Sequence, residues 1–182
     1  PAGRRAAVFD ESLTLLRLLL RQDTVSFEGE FFTVDGASIG PRPAKPLDIW
    51  LGGTAPGALE RIGRLGDGWL ASLITPEEAG AGRVAIESAA AAAGREVEPD
   101  HYGISLAVAT EGIPDALVAS VRERRPGLDP ADLVAASWPD ARRMIEAYVA
   151  QGLSKFVIRP AGGAAAGRFL GQFVAHMMPL QT

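Results

Sequence analysis

The segment Trp50-Leu51-Gly52-Gly53-Thr54-Ala55-Pro56, followed by Leu65-Gly66-Asp67-Gly68-Trp69-Leu70, limits the possible folds of this 182-residue chain more than any other part of it. An apolar run, a glycine pair, a proline opening a helically spaced stretch, and a Gly-Asp-Gly turn into a second apolar run read as strand, turn, helix, tight turn and strand. That is one repeat of a parallel α/β fold. Its paired glycines lie where backbone can approach a ligand closely, most often one bearing phosphate.

The pattern continues downstream. Leu47 to Leu51 is the first strand, and Pro56 opens a helix with Leu59, Ile62 and Leu65 inward and Gly66 at its end. Gly68 to Leu73 is the second strand. Thr75-Pro76-Glu77-Glu78 combines an N-cap, a proline at the first helical position and a capping-box glutamate, so a helix runs from there to Gly94. Tyr102 to Thr110 is a third strand, apolar enough to be buried on both faces. Pro114–Arg125 and Asp129–Ala135 read as short helical pieces outside the sheet. Ser137 caps a helix with Met144, Ile145, Tyr148 and Val149 along its apolar stripe and Gly152 at its end, and Ser154 to Arg159 is the fourth strand. A last helix places Phe169, Phe173 and Met177 on one face.

Upstream, Arg4 to Arg21 reads as an amphipathic helix with Phe9, Leu13, Leu16 and Leu20 on one stripe. Val25 to Val34 is a hairpin with Gly29 in its turn, and Pro41, Pro43 and Pro46 mark an extended linker. The order is therefore a helix lacking a strand before it, a hairpin-and-linker insertion over residues 24–46, and four parallel-type strands alternating with helices. A whole (β/α)8 barrel takes about 250 residues. One α/β domain over residues 1–182, containing about the C-terminal half of a TIM-type barrel, is the expected architecture.

Composition narrows the function. A hydrophobic fraction of 47% supports a real core. The formal net charge of -4 offers no electrostatic footprint for nucleic acid, and no apolar run is long enough to span a membrane. With no cysteine there is no disulfide, thiolate metal site or cysteine nucleophile. No signal-peptide pattern opens the sequence, so a cytoplasmic protein is expected. Only Lys45 and Lys155 are lysines among 18 basic residues, which suits a GC-rich bacterial genome. His101 and His176 are too few and too separated for a metal site or a triad.

Three motifs carry a resemblance: Phe27-Glu28-Gly29-Glu30-Phe31-Phe32; Ile49-Trp50-Leu51-Gly52-Gly53-Thr54 with Gly66-Asp67-Gly68-Trp69; and Gly152-Leu153-Ser154-Lys155-Phe156-Val157-Ile158-Arg159-Pro160. In this order the chain resembles the luciferase-like flavin and deazaflavin oxidoreductases, most closely their F420-dependent branch, and it matches the C-terminal half of that family's barrel. The resemblance implies F420, or alternatively FMN, at the C-terminal ends of the strands, and hydride exchange with a small organic substrate. It also implies that the first four barrel strands, which supply many contacts to the redox ring, are missing, so no catalytic constellation is assigned.

Candidate cofactor-binding residues lie at strand exits. Gly52 and Gly53 offer amides to a ligand or form a tight turn. Thr54 bonds the cofactor or caps the helix after it. The resemblance places Ser72 and Thr75 at cofactor-contacting positions, Thr75 being also the obvious N-cap. Arg159 either anchors a phosphate bidentately beside Gly162 and Gly163 or forms a surface ion pair. Asp67, at the strand-entering end, reads as a turn residue held through its own backbone. The arginines at 122, 124 and 125 read as a solvated helix end. Besides the oxidoreductase reading stand an FMN-dependent monooxygenase, a non-catalytic half-barrel acting by homodimerisation or by pairing with a missing N-terminal half, and last a Schiff-base aldolase, for which neither lysine is placed well.

Overall fold

The computed structural model describes residues 2–162 and 166–180. Helix α1 (Ala2–Arg21) precedes an antiparallel hairpin of β1 (Val25–Glu28) and β2 (Thr33–Ala37). The hairpin connection is held from α1: Glu11 accepts the backbone N–H groups of Glu30, Phe31 and Phe32 at 2.9, 2.9 and 2.7 Å. Burial of α1 departs from the single stripe. Leu13 and Leu15 are buried, whereas Phe9 and Leu16 are exposed, because the helix contacts α2 on one side and β1 on another. Phe9 instead lies under the Arg61 guanidinium, 5.5 Å from its ring centre.

The alternating part comprises β3 (Trp50–Leu51), α2 (Pro56–Leu65), β4 (Gly68–Ser72), α3 (Pro76–Ala92), β5 (Tyr102–Val108), α4 (Asp115–Arg124), β6 (Val134–Ala135), α5 (Trp138–Ala150), β7 (Lys155–Pro160) and α6 (Ala166–His176). Among the described residues the sheet has five strands, all parallel, not four. Residues 129–135 are one turn of 3-10 helix, Pro130–Asp132, followed by β6, which joins the sheet instead of lying outside it. The reason is a vacant ladder edge. β4 pairs with β5 from Trp69↔Tyr102 to Ser72↔Ser105 and then turns away, leaving the exit half of that edge for Ala107↔Val134 and Val108↔Ala135. β7 takes the opposite edge of β5 along its length, from Gly103↔Lys155 to Val108↔Pro160.

Alternation of side chains along the strands divides the sheet into two faces. Trp69, Ala71, Tyr102, Ile104, Leu106 and Val108 pack into the main core with Ile62 of α2, Ile86 and Ala90 of α3, and Met144 and Tyr148 of α5. On the other face β5 presents Gly103, Ser105 and Ala107, and its register partners bring Leu70 and Ser72 from β4 and Lys155, Val157 and Arg159 from β7. A smaller cluster of Ala107, Ala109, Val121, Leu133 and Val134 closes the exit end. Parallel strands with helices packed on one face, in this order, form about half of a (β/α)8 barrel with its inner face turned toward the site. Among the described residues no helix is long and apolar enough to cross a membrane.

Candidate functional site

The exit of β3 is built by tryptophan and glycine. Gly53 has φ +113, and a β-carbon there would stand 2.8 Å from that of Ala58, so glycine is required. The Trp69 indole donates to the Gly53 carbonyl at 2.9 Å, so this packing residue also fixes the turn. Gly52 differs: its nearest neighbour to a built β-carbon is the Leu70 carbonyl at 3.4 Å, which leaves room. The amides of Gly52, Gly53 and Thr54 donate to no group among the described residues. Helix α2 is capped at Ala55 with no side-chain bond, so Thr54 does not cap it, and its exposed hydroxyl stands beside those three amides.

The exit of β4 is held more tightly. Thr75 forms the full capping box: its Oγ1 accepts the Glu78 N–H at 3.3 Å while Glu78 accepts the Thr75 N–H at 2.9 Å. The Thr75 hydroxyl is thereby committed to α3. Between the strand and this cap, Leu73 takes φ +54, the only non-glycine positive φ among the described residues. That conformation costs a residue with a β-carbon about 1–2 kcal/mol. Its carbonyl accepts Arg125 Nη1 at 2.6 Å, and the next carbonyl, of Ile74, accepts the buried Tyr148 hydroxyl at 2.5 Å. Arg125 also pairs with Glu78 and is half-buried, so it is not the solvated helix end read from the sequence. Ser72, just before this turn, is exposed.

The inner face then supplies a residue that sequence reasoning passed over. Ser105 stands in register with Ser72 on β4, and its Oγ accepts Arg159 Nε at 2.6 Å. Ser72, Ser105 and Arg159 are thus neighbours on three adjacent strands. The bond orients the guanidinium while leaving its two Nη groups without a partner among the described residues, and no carboxylate forms an ion pair with it there. The surface-ion-pair alternative for Arg159 therefore loses its support. The signal for Ser105 was in the sequence: it is the lone hydroxyl among small and aliphatic residues between Tyr102 and Val108.

Gly162 has φ +100, and a β-carbon on it would meet Pro114 Cγ at 2.9 Å, which accounts for glycine without a ligand. It lines a cavity of about 350 Å³ with Thr110, Glu111 and Pro114. Gly163 lies outside the described residues. The glycine turn and Arg159 are separated by β4 and β5, so three strand spacings, roughly 14 Å along the sheet, lie between them.

The profile of the luciferase-like monooxygenase family matches residues 1–154. The chain belongs to that family. Among curated relatives of this luciferase-like chain, the F420-dependent glucose-6-phosphate dehydrogenase of Intrasporangium calvum is 26% identical, over 96% of the chain and 61% of the relative. An F420-dependent secondary alcohol dehydrogenase solved with an F420-acetone adduct superposes with a TM-score of 0.79 at 16% identity, covering 99% of the chain and 63% of that protein. A riboflavin lyase with modified FMN gives 0.72 at 14% identity, over 97% and 57%. The chain thus spans about 60% of the length of the relatives it matches.

At the strand-entering end, this luciferase-like chain spends its charges on itself. Asp67 receives Arg17 at 3.0 and 2.9 Å, Arg95 at 3.2 Å and the Ile49 N–H at 2.9 Å. Its role is structural, as read, but through α1 and the loop before β5 and not through its own backbone. Partial burial opposes the charge, and the Arg17 guanidinium, the Ile49 amide and Arg95 outweigh it, holding the carboxyl below the usual carboxylate range. His101 Nδ1 lies 2.8 Å from the Asp67 carbonyl, and its ring packs 5.3 Å from that of Trp50. Trp50 in turn sits against Gly68, where a β-carbon would stand 2.5 Å from the indole. His176 stacks on Trp138, 5.8 Å between centroids. Among the described residues no three carboxylates or histidines gather as a metal site.

Proposed function

We propose that the chain forms the cofactor-binding half of an F420-dependent oxidoreductase that passes hydride to or from a small organic substrate. One observation carries the reading: at the exit end of a parallel sheet, Arg159 is oriented by Ser105, beside Ser72, with both its Nη groups without a partner among the described residues. A guanidinium prepared in this way suits an anionic group. The F420 dependence of the two dehydrogenase relatives supports the choice of cofactor.

The residues present suit such a molecule. Its phosphate and hydroxyl-bearing arm needs amide, hydroxyl and guanidinium donors, and the exit end offers the N–H groups of Gly52, Gly53 and Thr54, the hydroxyls of Thr54 and Ser72, and Arg159. Because roughly 14 Å separates the glycine turn from Arg159, the two would serve different parts of one extended ligand. F420 supplies hydride transfer at its deazaflavin ring when bound. The chain's own residues would bind and orient: Trp69 fixes the glycine turn through the Gly53 carbonyl, and Ser105 sets the guanidinium. Thr75 contributes to α3, and only its backbone region would line the site. Gly162 would add backbone to the Arg159 side.

Fluorescence titration of the purified chain with F420 and with FMN tests the reading. Saturable F420 binding, weakened by Arg159→Gln, is the expected result. Saturable FMN binding with none of F420 would replace it by an FMN-dependent monooxygenase, an alternative favoured by the FMN-bearing structural relative.

A second reading rests on the sheet edge. Val157 on β7 is 45% exposed, and a groove of about 680 Å³ runs between α5, β7 and α6, lined by Val149, Phe156, Ile158 and Phe173. An apolar parallel edge of this kind calls for a cover. A second copy of the chain, or a separate N-terminal half-barrel, would supply it. A monomer at all concentrations in equilibrium sedimentation, also after addition of such a half, would remove this reading.

A further inference from the structure

We infer that Arg125 is a positioning residue for the ligand site: by gripping Leu73 it holds the exit of β4 in the left-handed turn that sets Ser72 beside Ser105. The inference rests on reading the exit end as a cofactor site, although its structural half can be tested without any ligand.

Three observations converge. Leu73 is the one non-glycine residue with positive φ among those described, and it stands between two candidate ligand contacts, Ser72 and Thr75. Strain of this kind persists only where surrounding structure imposes it, and it gathers at functional sites. What imposes it here is visible. Arg125, the C-cap of α4, donates from Nη1 to the Leu73 carbonyl at 2.6 Å, while the Leu73 side chain packs against the exit-end cluster of Ala107, Ala109, Val121, Leu133 and Val134. Leu73 is therefore held at its carbonyl by the end of α4 and at its side chain by a cluster to which α4 contributes Val121. The other arm of Arg125 reaches Glu78, whose second oxygen completes the α3 capping box with Thr75. Strand exit, helix start and the end of α4 are joined through one guanidinium, whose planar fork presents donors to both acceptors at once.

The turn also decides who occupies the edge of β5. Because β4 leaves at Leu73, β5 is free beyond Ser105 to pair with β6 at Ala107 and Val108. Were Leu73 to relax to extended backbone, β4 would run on along β5 in competition with Val134. Ser72 would then no longer end the strand at the mouth of the site.

The test compares Arg125→Gln, Arg125→Lys, Leu73→Gly and the double change Arg125→Gln with Leu73→Gly. Hydrogen exchange on the unliganded chain is expected to accelerate about tenfold at residues 73–75 in Arg125→Gln, equivalent to 1.4 kcal/mol of local opening. Arg125→Lys, which keeps a cationic donor but lacks the planar fork, should fall between it and the parent. F420 affinity measured by fluorescence should drop about tenfold in Arg125→Gln, and adding Leu73→Gly should restore most of it, since glycine adopts the turn unaided. That rescue separates positioning from direct ligand contact, which glycine at 73 cannot replace. Unchanged exchange overturns the inference. So does faster exchange with F420 affinity held within twofold, or a folded double variant with no recovery of affinity. Should Arg125→Gln fail to fold, Arg125→Lys carries the same comparison. Failure of the parent chain to bind either F420 or FMN would instead defeat the functional reading, leaving exchange to judge the turn.

Discussion

The two ends of the sheet differ in the charge and amides they leave unpaired, although the exit end also has an internal pair, Arg125 with Glu78. At the entry end Asp67 is enclosed by Arg17, Arg95 and the Ile49 amide, and each guanidinium also reaches main-chain carbonyls, of Leu65 for Arg17 and of Gly63 and Gly66 for Arg95. At the exit end Arg159 has one neutral partner, Ser105, and three consecutive amides at residues 52–54 have none among the described residues. Groups paired internally stabilise the chain, and groups oriented but unpaired remain available to something else. Among the glycines Gly52 stands apart: Gly68 at the entry end and Gly53 and Gly162 at the exit end are each excluded from bearing a side chain by a near neighbour, while Gly52 has only the Leu70 carbonyl, at ordinary contact distance.

The sharpest way to break the comparison is Asp67→Ala. Removal of the carboxylate strands two half-buried guanidiniums and the Ile49 amide, so a loss of about 3 kcal/mol is expected in urea unfolding. F420 affinity of the folded fraction should stay unchanged. A fall in affinity without a fall in stability would show that the entry end is not purely structural.

At the other end the pattern should invert. Arg159→Gln leaves an exposed strand position and should change stability by less than about 0.5 kcal/mol, but it should weaken ligand binding by about tenfold to a hundredfold, as loss of a charge-assisted bond does. Ser105→Ala should reproduce part of that loss through the guanidinium it no longer orients. Equal affinities in the titration would end the reading of Arg159 as an anion anchor.

Acidification gives the same contrast without mutation. Because Asp67 is held below its ordinary range when folded, its contribution is complete above the unfolded value of about 3.9 and is lost as pH falls through the folded one. Unfolding midpoints should therefore drop as pH is lowered from about 5 toward 3, and Asp67→Asn should flatten that dependence. An equal slope in both proteins would assign the acid sensitivity to other carboxylates.

How much of this was legible beforehand follows from the range of the interactions. The helix α3 start at Thr75 and Glu78, the Gly66 end of α2 and the Ser137 cap of α5 are local chemistry, written within four residues, and the structure has them. The five-stranded sheet departs from the sequence pattern at β6 because Val134-Ala135 is a strand only by virtue of an edge vacated at Leu73, more than sixty residues earlier. Val149 shows the same limit: its spacing belongs to the apolar stripe, yet it is 53% exposed, since α5 lies by the open groove along β7. In the site, the glycine turn and Arg159 could be proposed from strand order, whereas Ser105 and Arg125 matter through partners 54 and 52 positions away.

Thr75 tests whether a residue can belong to both classes. As the cap of α3 it should cost about 1 kcal/mol when changed to Ala, measured by thermal unfolding, with affinity following only as far as the exit turn loosens. Thr75→Ser retains the cap. A Thr75→Ser variant that binds F420 poorly would move this residue from the helix to the ligand.

The smallest stability change should come from Gly52→Ala, and it is the most direct probe of the exit end. The backbone of Gly52 is not left-handed, and its built β-carbon comes no closer than 3.4 Å to any neighbour, so unfolding should shift by less than about 0.5 kcal/mol. Nothing among the described residues then explains glycine at this position. If a ligand lies against residues 52–54, the added methyl group must meet it, and F420 affinity should fall severalfold while the melting temperature holds. Should both stay constant, the free amides of the turn face water alone, and the exit end reduces to the Ser72, Ser105 and Arg159 side of the sheet.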